Sequence, residues 1–249
     1  MSTWIGIGRS ETGLVRASNQ DAFAVMDTTG MWAVADGMGG HVGGAVAAQT
    51  AISTVQAQAA FSQEQLRSGS ASPIDVLTTL ISRAHDAILA QARSQPKLKG
   101  MGTTLVLLTV VPDQTSMAYV AHIGDSRAYR FRAGTLTPLT RDHSLIEKYL
   151  ERGILTPETA KTHPERHVLT RALGVSSTVT PTIAGCAMQE DDLVILCSDG
   201  LTKMLEDQDI QRVLDNDDPS PASACDRLIA AALDRGGEDN VTVVVVTYR

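Results

Sequence analysis

Nine short apolar segments rich in β-branched residues recur along the chain and constrain its fold more than any other feature. The predicted strands are 3–8, 22–27, 31–35, 103–111, 116–123, 127–132, 179–186, 192–197 and 241–248. Several follow one another with no room for a crossover helix, which favours antiparallel pairing. Segments 105–108, 193–196 and 243–246 are apolar throughout, as is typical of strands covered on both faces. The pattern predicts an α+β layered sandwich, with antiparallel sheets inside and helices outside.

The helix signals fit this arrangement. A helix rich in small residues is predicted from about 44 to 60, and Ser72-Pro73 begins a second one. Ser220-Pro221 begins a third helix, which ends at Gly236-Gly237. The polar segment 142–175 has only weak helical turns, and it is predicted to cross the surface.

Composition excludes several classes of protein. The 249 residues contain no Pro/Ser-rich linker, so a single domain spanning 1–249 is predicted. A net charge of −7 disfavours nucleic-acid binding. The three cysteines are widely spaced, which indicates reduced thiols instead of disulfides or a zinc site. With no signal-like N-terminus and no membrane-length apolar run, a cytoplasmic protein without membrane attachment is expected.

Five isolated aspartates stand beside predicted strands, and they are Asp21, Asp36, Asp125, Asp199 and Asp239. A hairpin of 22–27 and 31–35 places the first two opposite each other at its open end. If strand 241–248 runs antiparallel to strands 116–123 and 192–197, all five carboxylates meet at one end of the sheets. Close carboxylates repel one another, and a hard divalent ion such as Mg²⁺ or Mn²⁺ relieves that repulsion.

A single Asp-Gly is most often a turn, so each aspartate alone is weak support for a metal site. Five such acids in one chain, with glycine after Asp36 and Asp199, make coincidence a poorer explanation.

Several motifs together resemble the metal-dependent serine/threonine protein phosphatases of type 2C, in their compact bacterial form. The matching segments are 13–21, 34–41, 102–104, 124–129, 139–144, 169–174, 198–201 and 237–242. They cover nearly the whole chain in the family's order, which makes the match specific.

The resemblance implies a role for each matched position. Two ions of Mn²⁺ or Mg²⁺ would be held by Asp36, the Gly37 carbonyl, Asp199 and Asp239, and Asp21 would act through water. Asp125, with Asp199, would hold a weaker third ion. Arg16 would bind the substrate phosphate, and His41 would protonate the leaving oxygen. Segment 142–175 would be the variable flap beside the site.

The resemblance also implies a four-layer α/β/β/α sandwich and hydrolysis of phosphoserine and phosphothreonine in proteins by metal-activated water. The expected protein is a monomer that opposes a serine/threonine kinase. Two alternatives are a phosphoprotein-binding module without turnover and a two-metal hydrolase with another substrate, such as a nuclease or a small-molecule phosphatase.

Overall fold

The computed structural model describes residues 4–39, 42–111, 116–216, 218 and 220–248. The strands are β1 (Trp4–Glu11), β2 (Asp21–Met26), β3 (Met31–Met38), β4 (Gly102–Thr103), β5 (Leu105–Val110), β6 (Met117–Ile123), β7 (Arg127–Arg132), β8 (Thr135–Pro138), β9 (Thr182–Ala187), β10 (Leu193–Cys197) and β11 (Val241–Tyr248). The helices are α1 (Gly43–Ser68), α2 (Pro73–Ser94), α3 (Leu145–Glu151), α4 (Pro157–Lys161), α5 (Asp199–Met204), α6 (Asp207–Leu214) and α7 (Pro221–Asp234).

The strands form two antiparallel sheets. The first has the order β1-β11-β10-β7-β8, and the second has the order β2-β3-β5-β6-β9, with β4 paired to β3. Each neighbouring pair is antiparallel. The prediction of antiparallel sheets is therefore confirmed.

Three hydrophobic clusters separate four layers. The cluster between the sheets contains Trp4, Trp32 and Val244. A second cluster packs α1 and α2 against one sheet, and a third packs the C-terminal helices against the other. The predicted α/β/β/α sandwich is confirmed, and it explains why the central strands are apolar on both faces. Burial of each such large apolar side chain contributes about 1.5–3 kcal/mol.

The helix starts agree with their sequence signals. Ser72 accepts a hydrogen bond from the backbone N–H of Asp75, and Ser220 accepts one from that of Ser223. Helix α1 continues beyond its predicted end and stops before Gly69, which adopts the left-handed conformation that glycine tolerates. The short elements β8, α5 and α6 were not predicted. Within the described ranges, no helix combines the length and apolar character needed to cross a membrane.

Candidate active site

The β2–β3 hairpin brings two of the predicted acids together. Its strands pair with Asp21 directly opposite Asp36, after a turn that ends at Gly30 with φ of 60°. This pairing confirms the sequence prediction for the open end of the hairpin.

The backbone around Asp36 is tightly fixed. The Asp36 carbonyl accepts hydrogen bonds from Thr104 N at 2.9 Å and from Thr103 Oγ1 at 2.8 Å. A Cβ on Gly37 would lie 2.1 Å from the Gly44 carbonyl oxygen, so any side chain at position 37 would displace α1. Packing therefore requires glycine at position 37, directly after the Asp36 carboxylate.

Both sheets contribute acids to one cavity. Asp199 follows β10, and Asp239 precedes β11, which pairs antiparallel with β10 as predicted. Asp125 follows β6, which belongs to the other sheet and is not hydrogen-bonded to β11. Asp125 nevertheless lines the same cavity as Asp36, because the two sheets pack face to face.

The cavity has a volume of about 600 Å³. Its walls are formed by Arg16, Ala17, Ser18, Gln20, Asp36, Gly37, Met38, Gly39, Thr104, Asp125, His167, Leu169, Asp199, Lys203, Asp239 and Asn240.

Burial and repulsion among neighbouring carboxylates raise the pKa of three of the acids. Burial, reinforced by Asp199, Asp21 and Asp125, raises the pKa of Asp36 well above its ordinary value. Burial followed by repulsion from Asp199 raises the pKa of Asp125 to about 7. Burial also raises the pKa of Asp21 to about 6, against hydrogen bonds that favour its charged form.

Two cations reduce this repulsion on one side of the cavity. Lys203 Nζ lies 2.6 Å from Asp199 Oδ2 and 2.8 Å from Asp239 Oδ2. Arg16 forms a two-point pair with Asp239, through Nε at 2.8 Å and Nη2 at 2.9 Å. Although burial raises the pKa of Asp239, the hydrogen bonds from Lys203 and Arg16 outweigh it, so this pKa is lowered overall.

The donor atoms fit a hard divalent cation. Asp21 Oδ1 and Asp199 Oδ1 are buried without a hydrogen-bond partner, and such atoms are costly unless a ligand satisfies them. Oxygen donors are those that Mg²⁺ and Mn²⁺ prefer. Within the part of the chain that is described, no three acidic, histidine or cysteine side chains are already gathered around one point. At Asp239, both carboxylate oxygens are engaged by Arg16, Lys203 and the Asn240 N–H, so a cation bound there would replace one of these donors.

Asn240 positions the loop that carries Arg16. Its side-chain amide donates to the carbonyls of Thr12 at 2.8 Å and Ser18 at 3.0 Å. Its Oδ1 accepts from the backbone N–H of Gln20 at 2.9 Å. The residue is buried, so these bonds fix both ends of the loop beside Asp239.

Two stacked histidines support the Asp125 turn from behind. The rings of His122 and His143 lie 4.3 Å apart, and His143 Nδ1 accepts from Gly124 N. Burial, followed by the neighbouring His122 and Arg171, lowers the pKa of His143 to about 3. His143 therefore remains neutral near physiological pH and connects the base of segment 142–175 to Gly124.

Four further residues bear on the site, and they are His41, His167, Lys203 and Asn240. His41 lies outside the described residues, so its proposed acid role stays a prediction. His167 is exposed and lines the acidic cavity. Lys203 was not predicted as part of the site, because its spacing of four residues from Asp199 is a usable signal only if 199–204 is helical. Asn240 was likewise given no role, although an asparagine directly after Asp239 is a candidate for anchoring a loop.

Comparison with known proteins identifies a family model and relatives that match most of this chain. The family model described as Protein phosphatase 2C matches residues 12–231. Serine/threonine protein phosphatase PstP of Mycobacterium tuberculosis is 39% identical over 240 residues, which cover 95% of this chain and 43% of that protein. The chain therefore spans less than half of the length of this relative.

Two further similarities cover nearly the whole of both partners. Serine/threonine phosphatase stp of Listeria welshimeri is 35% identical over 96% of this chain and 93% of its own. A crystal structure of the catalytic domain of serine/threonine protein phosphatase PstP in complex with two manganese ions superposes with a TM-score of 0.84. It shares 34% identity over 100% of this chain and 99% of that chain. The resemblance inferred from the motifs is confirmed, and the chain belongs to the protein phosphatase 2C family.

Proposed function

We propose that this protein is a metal-dependent phosphatase that hydrolyses phosphoserine and phosphothreonine in proteins. The observation that carries the proposal is one cavity in which carboxylates from both sheets, with too little positive charge nearby to balance them, lie beside an exposed arginine. Carboxylates alone would repel a phosphate dianion, so the arrangement is useful for phosphate chemistry only with divalent cations. The PstP catalytic-domain structure with two manganese ions supports the same assignment.

Asp36, Asp199, Asp239 and the Gly37 carbonyl are the proposed ligands of two Mn²⁺ or Mg²⁺ ions. Asp21 would act through water, and Asp125, with Asp199, would hold a weaker third ion. Bound ions would act as Lewis acids that activate water and offset charge on the phosphoryl group. The unpartnered oxygens of Asp21 and Asp199 support their inclusion.

Arg16 is the proposed phosphate-binding residue. Its side chain is 56% exposed at the edge of the cavity, and its pairing with Asp239 holds the planar guanidinium beside the acids. The opposite edge of that plane, formed by Nη1 and the second N–H of Nη2, offers two parallel donors, a geometry that matches two oxygens of a phosphate. Arg16 would thus bind and orient the substrate without taking part in proton transfer.

His41 is proposed as the acid that protonates the leaving seryl or threonyl oxygen, on the strength of its place in the matched segment 34–41. An alkoxide leaving group gains roughly 10²–10⁴-fold from such an acid. His41→Ala should therefore reduce turnover of a phosphoserine peptide more than that of p-nitrophenyl phosphate, whose leaving group needs little protonation. Equal losses on both substrates would remove His41 from this role.

The proposed setting is a monomeric, single-domain cytoplasmic enzyme that opposes a serine/threonine kinase. Catalytic turnover distinguishes this proposal from a phosphoprotein-binding module, and substrate preference distinguishes it from a small-molecule phosphatase.

The test is hydrolysis of a phosphothreonine peptide by the purified protein with Mn²⁺, with and without excess EDTA. Asp239→Asn should lose nearly all activity, whereas Asp86→Asn, at an exposed site on α2, should retain it. A sugar phosphate should be hydrolysed more slowly than the peptide. Turnover that persists in EDTA, or an Asp239→Asn variant as active as the unmodified protein, would contradict the proposal.

A further inference from the structure

Lys203 connects two of the proposed metal ligands. Its ammonium group lies between Asp199 Oδ2, at 2.6 Å, and Asp239 Oδ2, at 2.8 Å. The three side chains are only 28%, 18% and 15% exposed, so water replaces this interaction poorly. One lysine therefore provides the positive charge that both carboxylates would otherwise obtain from a bound ion.

This bridge differs from an ordinary surface ion pair. Lys161 and Glu206 also form a short pair, but their side chains are 65% and 66% exposed, and such pairs contribute little. Lys203 stands one turn after Asp199 on α5, and the helix keeps its ammonium group near both acids. A group held in this way acts at a high effective concentration.

The bridge and a divalent ion compete most directly at Asp239, because both of its carboxylate oxygens already accept hydrogen bonds. Asp239 Oδ2 accepts hydrogen bonds from both Lys203 and Arg16, while Asp239 Oδ1 accepts from the backbone N–H of Asn240. A cation that binds Asp239 through Oδ2 must therefore displace the ammonium group, whereas Asp199 still has its unpartnered Oδ1.

We infer that Lys203 is a tethered cation that competes with divalent metal ions for Asp239 and for the negative charge of Asp199. This inference rests on the metal site of the proposed function and adds a property to it. Lys203 stabilises the metal-free protein by offsetting repulsion among the acids, and it weakens metal binding because the ion must displace it. At sufficient concentration a divalent ion still displaces the ammonium group, since it carries twice the charge of the ammonium group and can bind more oxygen atoms.

The direct test is Mn²⁺ binding by isothermal titration calorimetry to metal-stripped protein and its Lys203→Gln variant. We expect the variant to bind about tenfold more tightly, which corresponds to about 1.4 kcal/mol. Thermal unfolding provides a second readout. Without metal the variant should melt below the unmodified protein, and its melting temperature should rise further on addition of Mn²⁺.

Arg166→Gln is the matched control. Arg166 lines the neighbouring cavity with Lys203, and among the described residues its side chain makes no hydrogen bond or ion pair with the acids. The control removes the same charge without removing the bridge, so its Mn²⁺ affinity should change less than about threefold, which is below about 0.7 kcal/mol.

Three results would overturn the inference. The first is a Lys203→Gln variant that binds Mn²⁺ with equal or lower affinity than the unmodified protein. The second is an equal gain in Arg166→Gln, which would assign the effect to overall charge. The third is an absence of Mn²⁺ binding in both the unmodified protein and Lys203→Gln, and this result alone would also overturn the proposed metal site.

Discussion

Asp125→Asn should stabilise the metal-free protein. Asp125 lies in the turn after β6, where burial and the nearby Asp199 and Asp142 disfavour its charged form. Asparagine keeps the size of the side chain and removes the charge. The amide can also donate to a neighbouring carboxylate, which the aspartate cannot do when ionised.

The magnitude follows from the raised pKa. A shift from the ordinary 3.8 to about 7 amounts to about 4 kcal/mol, at about 1.36 kcal/mol per pKa unit. Partial exposure and charge sharing within the cluster reduce this value, so we expect about 1–2 kcal/mol.

The effect has a defined pH dependence. Above the folded-state pKa of about 7, the carboxylate is charged in both states and its destabilising effect is complete. As pH falls from about 7 towards 3.8, the folded protein holds a proton that the unfolded chain has released, and the effect shrinks. Below 3.8 both states are neutral and the effect disappears. The gain from asparagine should therefore be larger at about pH 8 than at about pH 5.

Urea denaturation in EDTA at these two pH values measures the gain, with Asp86→Asn as an exposed control that should change stability little. Addition of Mn²⁺ should stabilise the unmodified protein more than the variant, because the variant loses a proposed ligand. An Asp125→Asn protein no more stable than the unmodified protein at about pH 8 without metal would refute the reasoning.

Two further substitutions test the loop that carries Arg16. Arg16→Ala should raise KM for a phosphopeptide by roughly 10-fold or more, with a smaller loss in kcat, since a charge-assisted hydrogen bond is worth about 1.5–3 kcal/mol. Arg9→Ala, which removes an exposed pair with Asp226, is its control, and an unchanged KM in Arg16→Ala would exclude phosphate binding. Asn240→Ala should lower the free energy of unfolding by about 1–3 kcal/mol, because it removes the hydrogen bonds that hold both ends of the loop. Urea denaturation checks this value against the exposed Asn216→Ala, and equal stability of the two variants would contradict it.

Local sequence patterns were sufficient to predict much of the fold. The β2–β3 hairpin could be placed because apolar strands flank a glycine turn, and a shift of one residue would turn every side chain to the wrong face. The same register placed Asp21 opposite Asp36. Helix α2 could be placed because Ser72 and Pro73 are local signals that act within a single turn.

Features that depend on tertiary packing could not be predicted in this way. Strand β8 is short and lies at a sheet edge, so it lacks the apolar alternation of a half-buried strand. Helix α5 is six residues long and includes Gly200, a poor helix former, so its sequence resembles a turn. The bridge made by Lys203 depends on this helix and on the approach of β11. The His122–His143 stack likewise joins residues whose proximity no local pattern indicates.

The central claim is that the aspartates at the ends of the two sheets hold the divalent ions. Anomalous diffraction at the manganese edge, from crystals soaked in Mn²⁺, tests this claim most directly. Two strong peaks are expected within ligand distance of Asp36, Asp199 and Asp239, with Asp21 nearby. Peaks only at other positions, or none in this cavity at saturating Mn²⁺, would contradict it.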